Sequence, residues 1–192
     1  MKRHILTFGL ILGAILATNT VYMMHLMRRD PDFMGNDVLG YAAMIIVFSL
    51  VFFGIRNYRN KELGGVISLG RAFKTGALIA FLGSTIYVVV GLSYIYLFAP
   101  DFIEVYSQYV LKCAERDGAT ETELAAKAEE MAQFATWYKN PLFAILISYM
   151  EVLPIGLVVA FISALVLKKK PGSAGGRPLA GTKQAVANAE MK

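Results

Sequence analysis

The chain has 192 residues, of which 56% are hydrophobic and 17% are charged, whereas soluble domains contain about 45–50% apolar and about 25% charged residues. The formal net charge is +5, but the basic residues flank the apolar runs instead of forming one patch, which argues against nucleic-acid binding. The single cysteine, Cys113, excludes an intrachain disulfide framework and leaves open a bridge between two chains.

Four long apolar runs predict four transmembrane helices. The first run, about 5–27, has no formal charge and is longer than the roughly 7–15 apolar residues of a signal peptide, so we expect a retained helix. The second, about 38–55, has 18 residues, which is just enough to span a bilayer. The third is expected at about 73–99 and ends before Pro100. The fourth, about 141–167, begins with Pro141 after the N-cap residue Asn140 and stops at Lys168.

The segment between the third and fourth runs predicts an amphipathic helical hairpin over 101–138. Apolar residues recur there at helical spacing on both sides of Gly118, where an Asp-Gly pair indicates a turn. Thr120 with Glu123 matches a capping box, and Asp101 with Glu104 resembles one. We expect the two helices to pack together or onto the bilayer surface.

The distribution of basic residues predicts the orientation. Four spans place 13 of the 19 Lys and Arg residues on the side that holds both termini, and 6 on the other side. Basic residues accumulate in cytoplasmic loops, so both termini should be cytoplasmic and the hairpin extracytoplasmic. Residues 1–170 would then form the membrane domain. Residues 171–192, rich in Gly, Ala and Lys, are expected to be a disordered cytoplasmic tail.

Several motifs carry a family resemblance. They run from Phe52 to Arg59, from Gly64 to Lys74, from Tyr138 to Phe143 and from Glu151 to Leu157. Together they resemble a family of bacterial four-span membrane proteins catalogued as domain-of-unknown-function family 4199. The resemblance covers roughly residues 1–170 and implies a four-span topology in a bacterial inner membrane. It implies no activity and transfers no functional residues.

Glu151 is the most informative residue for function. It lies ten residues into the fourth run, where a charge costs roughly 2.5–3.5 kcal/mol on insertion scales. Pro154, three residues later, leaves the carbonyl of Met150 without a helical donor. A carboxyl beside a broken helix turn is a way to build an ion site. The alternative is a protonated glutamate that makes one interhelical hydrogen bond beside a simple kink.

The third helix offers a face of small and polar residues that could meet Glu151. Ser84, Tyr87 and Tyr94 carry hydroxyl groups on this face. Small residues let helices approach closely, and polar residues bond across the interface. The full face consists of Gly76, Ala80, Gly83, Ser84, Tyr87, Gly91 and Tyr94. It is either a packing seam or the partner of the carboxyl.

A methionine cluster lies at the end of the first helix, with Met23, Met24 and Met27 around His25. Thioethers and imidazole suit Cu(I), but methionine also fills irregular gaps in apolar packing, which is the interpretation we favour. The sequence shows no metal-ligand spacing and no nucleophile–base set, so no cofactor is expected.

These observations favour a non-enzymatic accessory or structural protein of the inner membrane. Its expected partners are membrane lipids and another membrane protein or a second copy of the chain, with no nucleic acid. The alternative is a small transporter or channel subunit that uses Glu151 as a proton or ion site. A water-filled cavity at Glu151 would favour transport, and a sealed Glu151 would favour the accessory role.

Overall fold

The computed structural model describes residues 1–30, 33, 35 and 37–169, and within them the chain forms six α-helices. They are α1 (Lys2–Arg29), α2 (Asp37–Glu62), α3 (Leu69–Phe98), α4 (Phe102–Arg116), α5 (Glu121–Tyr138) and α6 (Pro141–Leu167). Four of them, α1, α2, α3 and α6, are long and apolar enough to cross a membrane. The predicted all-α fold with four candidate spans is confirmed. The predicted tail, 171–192, lies outside the described residues.

The helices are longer than the apolar runs that predicted them, because polar residues at their ends are also helical. α2 extends to Glu62, seven residues beyond the predicted end of its span, and α3 begins at Leu69. The apolar run reports only the part of a helix that hydrocarbon surrounds. Arg and Lys are good helix formers, and their long side chains reach the bilayer interface while the backbone stays helical.

Two of the predicted helix caps are confirmed. The Thr120 side chain accepts from the backbone N–H of Glu123 while Glu123 accepts from the backbone N–H of Thr120, which completes a capping box for α5. These hydrogen bonds from Thr120 lower the pKa of the Glu123 carboxyl. Asn140 accepts from the N–H of Leu142 at 3.0 Å and caps α6, with Pro141 in the first turn.

The predicted capping box at Asp101 is wrong. Asp101 has helical backbone angles, with φ −84° and ψ −1°, and its side chain makes no cap hydrogen bond. Its carboxylate instead lies 2.9 Å from the guanidinium of Arg28 at the end of α1. The ion pair from a distant helix has displaced the local cap, which sequence spacing alone does not reveal.

The α1 helix runs parallel to α3. Gly9 faces Leu82, and Gly13, one turn later, faces Ile86. An added Cβ at either glycine would lie less than 3.0 Å from the facing side chain. The small-residue face of α1 therefore allows close packing against α3, as small residues do at membrane helix interfaces.

The α2 and α6 helices run antiparallel to α1 and α3. At one end Nε2 of His4 lies 2.9 Å from a carboxylate oxygen of Glu62. On α6, Ala160 faces Gly76 while Gly156 faces Ala80. The N-terminal end of the chain and the end of α6 therefore lie at the same end of the bundle, where Arg59 donates to the carbonyl of Leu167 at 3.2 Å.

The outer surface of the four long helices is apolar. Large hydrophobic side chains with more than half of their surface exposed occur on all four, including Leu10 on α1, Ile46 on α2, Val89 on α3 and Leu146 on α6. Soluble monomers rarely expose contiguous apolar surface beyond a few hundred Å². The pattern is the one expected for helices that face lipid.

We expect Gly156→Ala to destabilise the bundle. A Cβ at this position would lie 2.6 Å from Cε1 of Phe48 and 2.9 Å from Cβ of Ala80, and overpacking of this kind costs about 1–3 kcal/mol. That exceeds the roughly 0.5–1 kcal/mol by which alanine favours a helix over glycine. The measurement is the thermal unfolding midpoint in detergent, which should fall.

Gly40→Ala is the matched control, because a Cβ there meets no atom within 4 Å. Its midpoint should equal or exceed that of the native protein. A midpoint for Gly156→Ala at or above the native value would contradict the tight junction of α2, α3 and α6.

Candidate functional site

Glu151 lies near the middle of α6. It follows the first residue of the helix by ten positions, or about 15 Å along the axis, half of a hydrocarbon core of about 30 Å. Its side chain is exposed, not sealed within the bundle. The hydroxyl of Tyr87 on α3 donates to Oε2 of Glu151 at 3.3 Å.

A partly enclosed cavity of about 580 Å³ adjoins this pair. All six helices contribute to its wall, and Glu151 and Tyr87 are both part of it. The lining residues are Thr20, Met23, Met24 and Met27 of α1; Tyr41 of α2; Tyr87, Val88, Gly91, Leu92 and Ile95 of α3; Phe102, Ile103 and Tyr106 of α4; Phe134 and Tyr138 of α5; and Ile147, Ser148, Met150 and Glu151 of α6.

The α4 and α5 helices form the side of the cavity farthest from the N-terminus. Phe102 and Tyr138 are buried in a small core with Ala99 and Ala144. The ring of Phe134 on α5 lies 6.4 Å from that of Tyr106 on α4, centroid to centroid. The two helices thus close the chamber with aromatic side chains.

Arg28 fixes the start of α4 over the end of α1. One guanidinium nitrogen lies 2.9 Å from the Asp101 carboxylate, and the other donates to the carbonyl of Phe98 at 3.1 Å. Phe98 is the last residue of α3, so a single side chain ties α1 to both helices. This contact sets the position of the aromatic side chains that α4 contributes.

Tyr138 contributes a neutral phenol to the cavity. Burial raises the pKa of its hydroxyl above the ordinary value of 10.0, and a hydrogen bond with Ser148 opposes the shift. Its backbone carbonyl accepts from the hydroxyl of Tyr96 on α3 at 3.3 Å. The phenol therefore supplies a dipole and a ring face at pH 7, but no charge.

The structure brings only part of the predicted polar site together. Tyr87 meets Glu151, whereas the ring of Tyr94 stacks on Phe98 with centroids 6.1 Å apart, outside the cavity lining. Ser84 is completely buried, and its hydroxyl has no hydrogen-bond partner among the described residues. Pro154 lies within α6 three residues after Glu151 and does not line the cavity.

The methionine cluster is divided by the structure. Met23, Met24 and Met27 line the cavity, but His25 is exposed and is not part of the lining. Within the described ranges, no three His, Cys, Asp or Glu side chains converge as metal ligands would. The imidazole of the weak copper candidate therefore does not join the thioethers.

Most of the aromatic lining was not identified from the sequence. Tyr41 appeared only as part of an apolar run, and Tyr106 and Tyr138 only as part of the apolar faces of the hairpin. Phe134 was not singled out at all. Their contribution depends on how α4 and α5 are placed over the bundle, which the periodicity of one helix does not encode. The available signal was the density of aromatic residues in 102–143.

Gly91 marks the place where α3 separates from α1. A Cβ there would meet only one atom within 4 Å, Cγ2 of Thr20 at 3.8 Å. About two helical turns towards the N-terminus, Gly83 would place a Cβ 2.5 Å from a side-chain carbon of Leu12. The tight packing of α1 on α3 thus gives way to open space at the depth of the cavity.

The family comparison agrees with this four-span architecture. A family model described as "Protein of unknown function (DUF4199)" matches residues 7–169. The chain belongs to the DUF4199 family. The match to this family extends from the first turns of α1 to the end of the described chain, so it includes the cavity and all of its lining. No curated protein and no solved structure matches the chain.

We expect the Tyr87–Glu151 hydrogen bond to be measurable by a double-mutant cycle. Tyr87→Phe removes the donor and keeps the ring, while Glu151→Leu removes the acceptor. Interhelical hydrogen bonds in membranes contribute about 0.6 kcal/mol on average and at most about 1.7 kcal/mol, so the coupling should lie in that range. The measurement is the free energy of unfolding in mixed micelles.

Tyr149→Phe is the control for this cycle. The Tyr149 hydroxyl donates to the hydroxyl of Thr85 at 2.8 Å and makes no hydrogen bond to Glu151 in the described structure. Its effect should add to that of Glu151→Leu within about 0.3–0.5 kcal/mol. Equal coupling for both tyrosines would contradict a specific contact between Tyr87 and Glu151.

Proposed function

We propose that this chain is a small membrane transporter or channel subunit in which Glu151 is the proton or ion site. The observation that carries the proposal is the exposed Glu151 carboxyl in the wall of a cavity of about 580 Å³ at mid-depth in the bundle. An ionisable group within a span that faces a cavity commonly marks a proton or ion path.

The cavity favours transport over a purely structural role for Glu151. A structural glutamate would be enclosed by its hydrogen-bond partners, because a carboxyl left unpaired in hydrocarbon is unfavourable. Glu151 has one long hydrogen bond of 3.3 Å to Tyr87 and open space beside it. That arrangement leaves the carboxyl able to gain and lose a proton or to bind a cation.

The proposed function is the binding and movement of a solute, and it involves no covalent chemistry. The lining offers one carboxyl group, several phenols and the hydroxyls of Thr20 and Ser148. An enzyme of the acyl- or phosphoryl-transfer type needs a nucleophile next to a base, together with a group that stabilises the developing charge. The accessory role remains the alternative, and the flux measurement below separates the two.

The chain has the architecture of a multi-pass membrane protein, and we infer that it resides in the inner membrane of a bacterium with both termini in the cytoplasm. The end of the bundle that holds His4, Glu62 and Lys169 carries nine of the 15 Lys and Arg residues that the structure describes. The positive-inside rule assigns that end to the cytoplasm.

We expect Glu151→Gln to abolish proton movement and to leave the fold intact, because glutamine still donates and accepts hydrogen bonds but cannot release a proton at neutral pH. The purified protein is reconstituted into liposomes with a trapped pH-sensitive dye, and a potassium diffusion potential drives the flux. The flux of the variant should fall to that of protein-free liposomes, while its unfolding midpoint in detergent stays near the native value.

Glu129→Gln is the matched control, because Glu129 is an exposed carboxyl on α5 outside the cavity lining. It should keep the native flux. If Glu151→Gln transports protons as well as the native protein does, Glu151 is not the proton site. If the native protein itself shows no flux above that of protein-free liposomes, the accessory role is the better assignment.

For the orientation, we expect a fluorescent-protein fusion after Leu167 to fluoresce in the cytoplasm and an alkaline phosphatase fusion near Gly118 to be active outside it. The reason is the excess of basic residues at the end that holds residue 167. Fluorescence and phosphatase activity are read in whole cells. The reverse pattern in both fusions would overturn the orientation.

A further inference from the structure

The formal charge that the described lining of the cavity can carry is negative and comes from Glu151. Among the described residues that line the cavity, Glu151 is the only carboxyl group, and none is Lys, Arg or His. The other ionisable groups are phenols, from Tyr41, Tyr87, Tyr106 and Tyr138, and a phenol is neutral near pH 7 because its ordinary pKa is about 10. The described lining is therefore neutral when Glu151 carries a proton and anionic when it does not.

The wall around this carboxyl is rich in aromatic rings and thioethers. Six aromatic residues line the cavity: Tyr41, Tyr87, Phe102, Tyr106, Phe134 and Tyr138. Aromatic faces attract organic cations, and cages of such rings recognise quaternary ammonium groups. The four methionines of the lining supply flexible, polarizable surface that adapts to apolar groups of different shape.

The size and exposure of the cavity suit a small molecule that arrives from the membrane. Its volume of about 580 Å³ lies within the roughly 300–1,000 Å³ of small-molecule sites. Tyr41 and Met150 line it while remaining 57% and 63% exposed, and both lie in helices that can span the bilayer. The lining thus continues onto the exposed surface of α2 and α6, two helices whose apolar outer faces are of the kind that lipid covers.

We propose that the cavity binds amphipathic organic cations, with Glu151 as the counter-ion. This inference rests on the proposed function and names the substrate class for the same site. The cationic centre lies between the carboxylate and the aromatic rings, and the apolar substituents contact the methionines. An organic anion would meet the carboxylate, and the described lining holds no basic residue to offset the repulsion.

Binding of the cation displaces the proton of Glu151. A carboxyl in apolar surroundings is either neutral or paired, so the protonated acid and the cation yield the carboxylate–cation pair and one released proton. The other ionisable groups in the described lining are phenols, which are ordinarily neutral near pH 7. These phenols belong to Tyr87 on α3, Tyr138 on α5, Tyr106 on α4 and Tyr41 on α2. The described lining residues of α1 are Thr20 and methionines, which are not ionisable.

The test is equilibrium dialysis of the purified full-length protein in nonionic detergent against tetraphenylphosphonium, a permanent lipophilic cation. The native protein should bind it saturably, and the affinity should rise by about tenfold per pH unit while Glu151 is protonated, because one proton leaves for each cation bound. Triphenylphosphine oxide, which is neutral, and tetraphenylborate, which is anionic, should bind at least tenfold more weakly.

Two variants and one control identify the site. Glu151→Gln should bind tetraphenylphosphonium at least tenfold more weakly and without pH dependence, whereas Glu129→Gln should match the native protein. Phe134→Leu keeps an apolar side chain but removes a ring, so affinity should fall by roughly 2- to 30-fold with the pH dependence retained. Should Glu151→Gln not fold, the Phe134→Leu result and the anion comparison decide the matter.

Equal binding of the cation and the borate anion, or native affinity in Glu151→Gln, would overturn the inference. Failure of this inference and failure of the proposed function remain distinguishable. Glu151-dependent proton flux without phosphonium binding retains a transporter and removes this substrate class. Phosphonium binding without proton flux retains the cation site and removes proton-coupled transport.

Discussion

Close contact of backbones along α3 is the interaction on which the bundle depends. Lipid tails are as apolar as leucine, so helices in a bilayer gain no hydrophobic free energy by associating and must rely on van der Waals packing. Gly76, Gly83 and Ala80 on α3 allow α1, α2 and α6 to approach to distances that leave no room for an added methyl group. The contacts of α3 with α1 and α6 are the most extensive between any two helices, and α3 also contacts α2, so it is the axis of the bundle.

The close packing along α3 also explains the presence and the position of the cavity. Near the N-terminal end of the chain, small residues on one helix receive large residues of another, as Gly83 receives Leu12. Farther along, α3 presents Tyr87 and Val88, and the partner surfaces are flexible methionines. The helices therefore separate, and α4 and α5 close the space with aromatic side chains that Arg28 and Asp101 hold in place.

The sequence predicts the helices well because their signal is local. An uncharged run of about 18 residues or more has few alternatives to a membrane span, and the Thr120 capping box needs only residues three positions apart. Glu151 was recognisable because a carboxyl interrupts such a run. Its partner was not, since Ser84, Tyr87 and Tyr94 share one helical face and only the rotation and depth of α6 select Tyr87. At Asp101 the local pattern itself was misleading. It predicted a capping box, but the carboxylate pairs with Arg28, 73 positions earlier in the chain.

Gly91 lines the cavity at a position where the size of the side chain could change during evolution, unlike the tightly packed glycines of the bundle. It is a helical position at which a small side chain would meet only Thr20, at an ordinary contact distance. Replacement by alanine would reduce the volume of the chamber while the seams around Gly83 and Gly156 stayed as they are. A lineage could therefore alter which molecules fit by a single codon change, separately from the selection that maintains the fold.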